Sequence, residues 1–213
     1  MQLHIYITAM ITSLFMKIVM GLKIEGYLNI PRRGGLIVAA NHVSNWDPIV
    51  LGVSAALRRE LFFLAKEELF LPNKFYTLLI SKYNAIKLKR DGIDKKAIRI
   101  SSTHLQRGRT IVIFPEGERN RHPEKGLLKP QPGVGYLALK TKSKIIPAYI
   151  HGTTERMMAL LSRKKRISVR FGKLIDTSQF QQSASLLKRS IALSNYVMKE
   201  INFLSSYGKN NIS

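Results

Sequence analysis

The sequence predicts an α/β fold: a mixed, largely parallel sheet flanked by helices, led in by an N-terminal amphipathic or membrane helix. Three observations predict it. From Lys23 onward, short apolar runs alternate with stretches of helical periodicity. The run Leu36-Ile37-Val38-Ala39-Ala40 is apolar throughout, as a buried strand requires. Residues just past the predicted strands are polar and mostly basic. In a parallel sheet they would share one edge, at the carboxyl ends where open α/β sheets bind ligands.

Taken in order, residues 1–22 are strongly apolar, with Lys17 their single charged side chain. Three readings compete. A signal peptide would want a basic start and a small-residue cleavage site, and neither is evident. A membrane span suits the length, at about 20 residues, but Lys17 interrupts it and His4, Thr8, Thr12 and Ser13 dilute it. The favoured reading is a helix lying in the membrane interface. Leu14, Phe15, Ile18, Val19 and Leu22 would then form one face, with Lys17 snorkelling to the headgroups. The bland alternative is an amphipathic helix packed on the domain's own core.

Strands are expected at Leu36–Ala40, Leu61–Ala65, Ala85–Leu88, Thr110–Phe114, Ile145–Ile150 and Ile167–Phe171, with a shorter one at Lys23–Tyr27. Helices are expected at Pro48–Leu57, Lys74–Lys82, Asp94–Gln106 and Gly133–Lys140. A last helix, Leu186–Leu204, would bury Leu187, Ile191, Val197, Ile201 and Leu204. The division is thus a helical segment over 1–22, one domain over 23–204, and a frayed tail over 205–213.

Composition narrows the partners. There are 35 Lys and Arg against 13 Asp and Glu, a formal net charge of +22. Such a surface favours nucleic acid, an anionic membrane or phosphorylated substrates. Nothing pairs basic and aromatic residues as a nucleic-acid surface would, so no nucleic-acid partner is expected. With no cysteine, thiol catalysis, disulfides and cysteine-based metal sites are excluded. The five histidines show no paired ligand spacing, and no metal is expected.

The chemistry gathers at Asn41-His42-Val43-Ser44-Asn45-Trp46-Asp47-Pro48, a corner between strand and helix. His42 reads as a general base and Asp47 as the carboxylate that orients it. Asp47 has a second local explanation, as N-cap of the following helix with Pro48 at its first position. The turn Phe114-Pro115-Glu116-Gly117-Glu118-Arg119-Asn120 can present backbone amides to an anion, and Arg119 adds a fork that grips phosphate. Its bland reading is a surface turn with a weak Glu116–Arg119 ion pair. Lys66 and Arg90 each follow a strand, and either alone would pass as a solvated charge. Their convergence with His42 on one edge is what favours a site. No serine sits in a nucleophile elbow, so a base acting on the substrate's own hydroxyl is favoured over a covalent enzyme intermediate.

Together these residues resemble the glycerolipid acyltransferase family that includes the 1-acylglycerol-3-phosphate acyltransferases. Asn41-His42 with Asp47 matches its NHxxxxD box. Asn84-Ala85-Ile86-Lys87-Leu88-Lys89-Arg90 is similar to its second block, Phe114–Arg119 to its FPEGTRS block, and Ile145-Ile146-Pro147-Ala148-Tyr149-Ile150 to its fourth. The resemblance runs from about Lys17 to Phe171 and implies a glycerol-3-phosphate acyltransferase-like fold. It implies that His42, polarised by Asp47, deprotonates a lysophospholipid hydroxyl, which attacks an acyl thioester of coenzyme A or acyl carrier protein. It also implies that Lys66, Arg90, Glu116, Gly117 and Arg119 hold the acceptor's phosphate, with no cofactor beyond the acyl donor. An anionic membrane surface, at the cytoplasmic face, would be the place of work. Glu118 and Asn120 depart from the small hydroxyl residues of FPEGTRS, Asn84 stands where a glycine is usual, and Pro130 and Pro132 flank Gln131 where a lysine is more usual. The segment before Lys23 has room for one helix and part of a second, less than the two-helix membrane module of some relatives.

Two rival readings remain at this level. One is an acyltransferase for another lyso-acceptor, such as lysophosphatidylglycerol or an acylated amino-acid lipid. The other, from a different class, is a basic membrane-binding protein with a degenerate site, for which Arg163-Lys164-Lys165-Arg166 is the best feature.

Overall fold

In a computed structural model of the chain, residues 3–66, 85–88, 95–154, 166–180 and 185–206 are described. Among them the strands are β1 (Lys23–Glu25), β2 (Leu36–Ala40), β3 (Leu61–Lys66), β4 (Ala85–Leu88), β5 (Thr110–Ile113), β6 (Lys144–His151) and β7 (Ser168–Phe171). The helices are α1 (Leu3–Met20), α2 (Asp47–Ala55), α3 (Lys95–Gln106), α4 (Gly133–Thr141) and α5 (Leu186–Ser206). The expected helix at Lys74–Lys82 lies outside the described residues.

The seven strands form one sheet in the order β1-β7-β6-β2-β5-β3-β4. Neighbours pair in parallel throughout except β6 and β7, which are antiparallel. Strands β2 to β6 therefore run one way, and β7 and β1 run the other. This is the mixed, largely parallel sheet that the alternating sequence predicts. The carboxyl ends of β2, β3, β4, β5 and β6 share one edge.

β2 lies at the centre, with Leu36 opposite Lys144 and Thr110 on its two neighbours. All five of its residues are fully buried, because helices cover both faces of the sheet. The pleat sends alternate side chains to opposite layers. Leu36, Val38 and Ala40 join a core with Met16, Met20, Val50, Leu51 and Val53 of α1 and α2. Ile37 and Ala39 join a second with Leu105, Val134, Leu137, Leu193 and Val197 of α3, α4 and α5. β1 stops at Glu25 because Gly26 takes a left-handed turn (φ 66°) against the Phe171 carbonyl.

α5 buries Val197 and Ile201 as expected, but its first turns face inward differently from the expected face. Ser190, Leu193, Ser194, Val197, Met198 and Ile201 are buried, while Leu187 and Ile191 are exposed. The reason is close backbone approach to α4. A Cβ on Gly135 would fall 2.1 Å from the Ser190 carbonyl oxygen, and the Gly135 amide donates to Ser194 Oγ at 3.1 Å. Small serines admit this contact, and an aliphatic periodicity scan passes over them. Ser205 and Ser206, expected in the tail, instead complete α5, and residues 207–213 lie outside the described residues.

α1 takes the bland alternative among the expected readings, packing on the domain's own core. Ser13, Met16 and Met20 face the core, each buried, and α1 packs on α2. Burying each methionine contributes about 1.5–3 kcal/mol. Leu22, expected on the membrane face, is instead buried, and Val19 is half-buried against the same core. On the outer side Met10, Ile11, Leu14, Phe15 and Ile18 are each about half exposed or more, with Lys17 beside them. No helix of the described residues is long and apolar enough to cross a membrane.

Candidate active site

The corner after β2 begins with Asn41. Its side-chain amide donates to the Ile150 carbonyl at 2.9 Å and accepts the Ile150 amide at 2.7 Å. A side chain thus continues the β2–β6 ladder by one step, and the main chain is released to turn. Residue 42 follows directly on the sheet's carboxyl edge.

Asp47, fully buried, resolves the question left by its sequence position. Its Oδ2 accepts from His42 Nδ1 at 2.8 Å and from the backbone amides of Val43 and Ser44, both at 2.7 Å. Its Oδ1 accepts the Thr153 hydroxyl at 2.6 Å. The expected N-cap of α2 is not formed: the helix opens at Asp47 itself, Trp46 stands at the cap position, and no side chain caps it. The carboxylate reaches backward into the loop it closes, so the amides it satisfies precede it. Four donors thus converge on one buried carboxylate.

The oxygen that accepts both backbone amides also faces His42 Nδ1, so Nδ1 is the donor and Nε2 keeps its lone pair. The imidazole stacks on Phe114 at 4.2 Å between centroids and 19° between planes. That leaves the His42 side chain 17% exposed. Stacking and the Asp47 bond together fix the ring, and Nε2 is the atom left for substrate.

The turn after β5 is bound to the same histidine by its main chain. Glu116 is buried, and its Oε1 accepts the His42 amide at 2.8 Å while Oε2 accepts the Leu128 amide at 2.9 Å. The Asn120 amide donates to the His42 carbonyl at 2.7 Å. The Glu116–Arg119 ion pair of the bland reading is therefore not made. Burial pushes the Glu116 carboxyl above its ordinary value, opposed by the Leu128 and His42 amides. Gly117 takes φ 76°, and a Cβ there would lie 3.0 Å from Gln131 Cγ, so any side chain at the tip of the turn would be strained and crowded. Asn120 is a structural node rather than a replaced hydroxyl: it is buried, donates to the Gly126 carbonyl at 2.6 Å and accepts the His122 amide at 2.9 Å. Glu118 and Arg119 are both exposed on the same turn.

Of the seven candidate residues, the structure brings His42, Asp47, Glu116, Gly117 and Arg119 together. Lys66 ends β3 on the same edge, two strands from β2 and so about 10 Å away. Arg90 lies outside the described residues, as do residues 163–165 of the basic run. Sequence reasoning assigned no role to Thr153 or to the Asn41 side chain. The signal for Thr153 was its place just past β6; its partner is 106 positions away.

This arrangement can do general-base chemistry on a hydroxyl held beside Nε2, with exposed cations next to it for an anionic group.

Known proteins are similar to this chain. The family model described as Acyltransferase matches residues 21–151. A 1-acyl-sn-glycerol-3-phosphate acyltransferase of Streptococcus pneumoniae is 29% identical over 147 residues, which is 68% of this chain and 52% of that protein. One from Borreliella burgdorferi is 32% identical over 141 residues, 62% of this chain and 53% of that protein. The matched region spans about half the length of these curated relatives. The crystal structure of the 1-acyl-sn-glycerophosphate acyltransferase PlsC from Thermotoga maritima superposes with a TM-score of 0.64, covering 92% of this chain and 78% of that one at 24% identity. That likeness shows a shared fold.

Proposed function

The chain belongs to the acyltransferase family, and from that premise we propose that it acylates the free hydroxyl of 1-acylglycerol-3-phosphate, giving phosphatidic acid for phospholipid synthesis. The acyl donor is a thioester of coenzyme A or acyl carrier protein. The observation that carries the reading is the 2.8 Å bond from His42 Nδ1 to the buried Asp47, which leaves Nε2 poised as a base.

The steps balance without a cofactor. The acceptor hydroxyl gives its proton to His42 Nε2 as its oxygen attacks the thioester carbonyl. The C–O bond forms, the tetrahedral oxyanion collapses, and the C–S bond breaks. The leaving thiolate takes the proton back from the imidazolium, which Asp47 stabilises in between. Arg119, with Arg90 and Lys66, binds the acceptor's phosphate. Glu116 and Gly117 serve that site by shaping the turn: the carboxylate is committed to the His42 and Leu128 amides, and the glycine lets the turn close.

The exposed apolar outer face of α1 supports a place of work on an anionic bilayer, at its cytoplasmic face. Exposed Leu14 and Phe15 enter the interface, and the net charge of +22 adds electrostatic attraction. A second reading, transfer to another lyso-acceptor, draws on one observation: Glu118 stands exposed beside Arg119, where a purely anionic headgroup would meet repulsion.

The test is a panel. Purified protein is offered lysophosphatidic acid, lysophosphatidylglycerol and other lysolipids with acyl-CoA or acyl carrier protein donors, and products are read by mass. Phosphatidic acid as the main product supports the reading. A preference for another lysolipid moves the acceptor, and no acyl transfer from either donor contradicts it.

A further inference from the structure

Asp47 has a donor that none of the motif residues supplies. Thr153, buried at 4% exposure, gives its hydroxyl proton to Asp47 Oδ1 at 2.6 Å. The other oxygen, Oδ2, already accepts His42 Nδ1–H and two backbone amides. Without Thr153, one lobe of a fully buried carboxylate would have no partner among the described residues, a costly state for a charged group.

The chain is shaped to deliver this hydroxyl. β6 is tied to the catalytic corner by both Asn41–Ile150 hydrogen bonds. Gly152 then turns with φ 84°, where a Cβ would lie 2.2 Å from the Arg166 carbonyl oxygen. The next residue, Thr153, is thereby brought down on Asp47. Anchors on both sides of the carboxylate fix its plane: the 43–44 loop on one and the end of β6 on the other. A threonine serving packing alone would bond to a nearby carbonyl; this one bonds to the group that orients the base.

We propose that Thr153 is a positioning residue for the His42–Asp47 pair. It locks the rotation of the Asp47 carboxylate so that Oδ2 faces Nδ1–H while His42 carries the substrate's proton. Thr153 retains its own proton throughout, and Asp47 takes none. The inference rests on the reading of His42 as base.

The experiment is steady-state kinetics on the full chain with lysophosphatidic acid and acyl-CoA. Thr153→Val should lower kcat about 10- to 100-fold, the scale of a small misplacement of a catalytic group, with KM for both substrates within about twofold. Thr153→Ser, which keeps the donor, should recover kcat to within about threefold. In a His42→Ala background, Thr153→Val should cause no further loss, since both changes remove one unit. If the valine form does not fold, Thr153→Ala replaces it with the same expected loss. A valine or alanine variant with wild-type kcat overturns the inference, as does a serine variant as impaired as the valine one. So does an additive loss in the His42→Ala background. An inactive His42→Ala beside an active Thr153→Val sinks the role of Thr153 alone. A fully active His42→Ala sinks the base reading and this inference with it.

Discussion

Glu116 holds His42 by its backbone: the carboxylate accepts the His42 amide at 2.8 Å, while its other oxygen accepts Leu128 at 2.9 Å. The turn carrying Arg119 and the strand end carrying the base are thus one rigid unit. Asn120 closes it from the other side through the His42 carbonyl.

That buried carboxylate gives a pH signature. Burial raises the Glu116 carboxyl above its ordinary 4.5, so the folded state holds its proton more tightly than the unfolded chain. Its stabilising contribution is complete below the unfolded value and is lost as pH rises through the raised folded one. Wild type should lose stability relative to the non-titrating Glu116→Gln variant as pH climbs from about 4.5 toward neutrality. Urea denaturation of both proteins across that window checks it; a wild-type advantage that grows with pH contradicts it.

Arg119→Ala should raise KM for lysophosphatidic acid about 10- to 100-fold, the loss of one or two charge-assisted hydrogen bonds to phosphate. KM for the thioester should change little. Initial rates with each substrate varied in turn make the comparison. Equal rises in both constants would move the phosphate site elsewhere.

Deleting α1 would remove Met16 and Met20 from the core, so membrane contact is better tested at its outer face. Leu14 and Phe15 are 57% and 52% exposed. The double variant Leu14→Glu with Phe15→Glu should keep its thermal midpoint within a few degrees. Sedimentation with phosphatidylglycerol vesicles should weaken by tenfold or more, given about 1.5–3 kcal/mol for burying each apolar side chain. Unchanged vesicle binding would show that this face does not meet the bilayer.

Much of this site was legible in the sequence because it is local. The apolar β2 run, the five-residue spacing from His42 to Asp47 and the Pro-Glu-Gly turn each follow from neighbouring residues. Parallel strands then put them on one edge by geometry. What was not legible depends on long-range pairing. Asp47 before Pro48 has the composition of a helix cap, and only the folded loop shows its carboxylate turned back to Val43 and Ser44. Glu116 beside Arg119 suggested an ion pair until the partners of its two oxygens were known. Thr153 and Asn41 act across more than a hundred residues. On α5 the serines that meet Gly135 are polar, so a search for aliphatic periodicity chose Leu187 and Ile191 instead.

The central claim is that His42 Nε2 is the base for acyl transfer, and the most direct measurement is turnover of His42→Ala. Purified wild type and variant are given lysophosphatidic acid with acyl-CoA and with acyl carrier protein donors, and phosphatidic acid is quantified by mass. The account predicts a loss of about 10²–10⁴-fold or more in kcat, with the thermal midpoint and vesicle binding unchanged. A folded His42→Ala protein that turns over within a few-fold of wild type would contradict it.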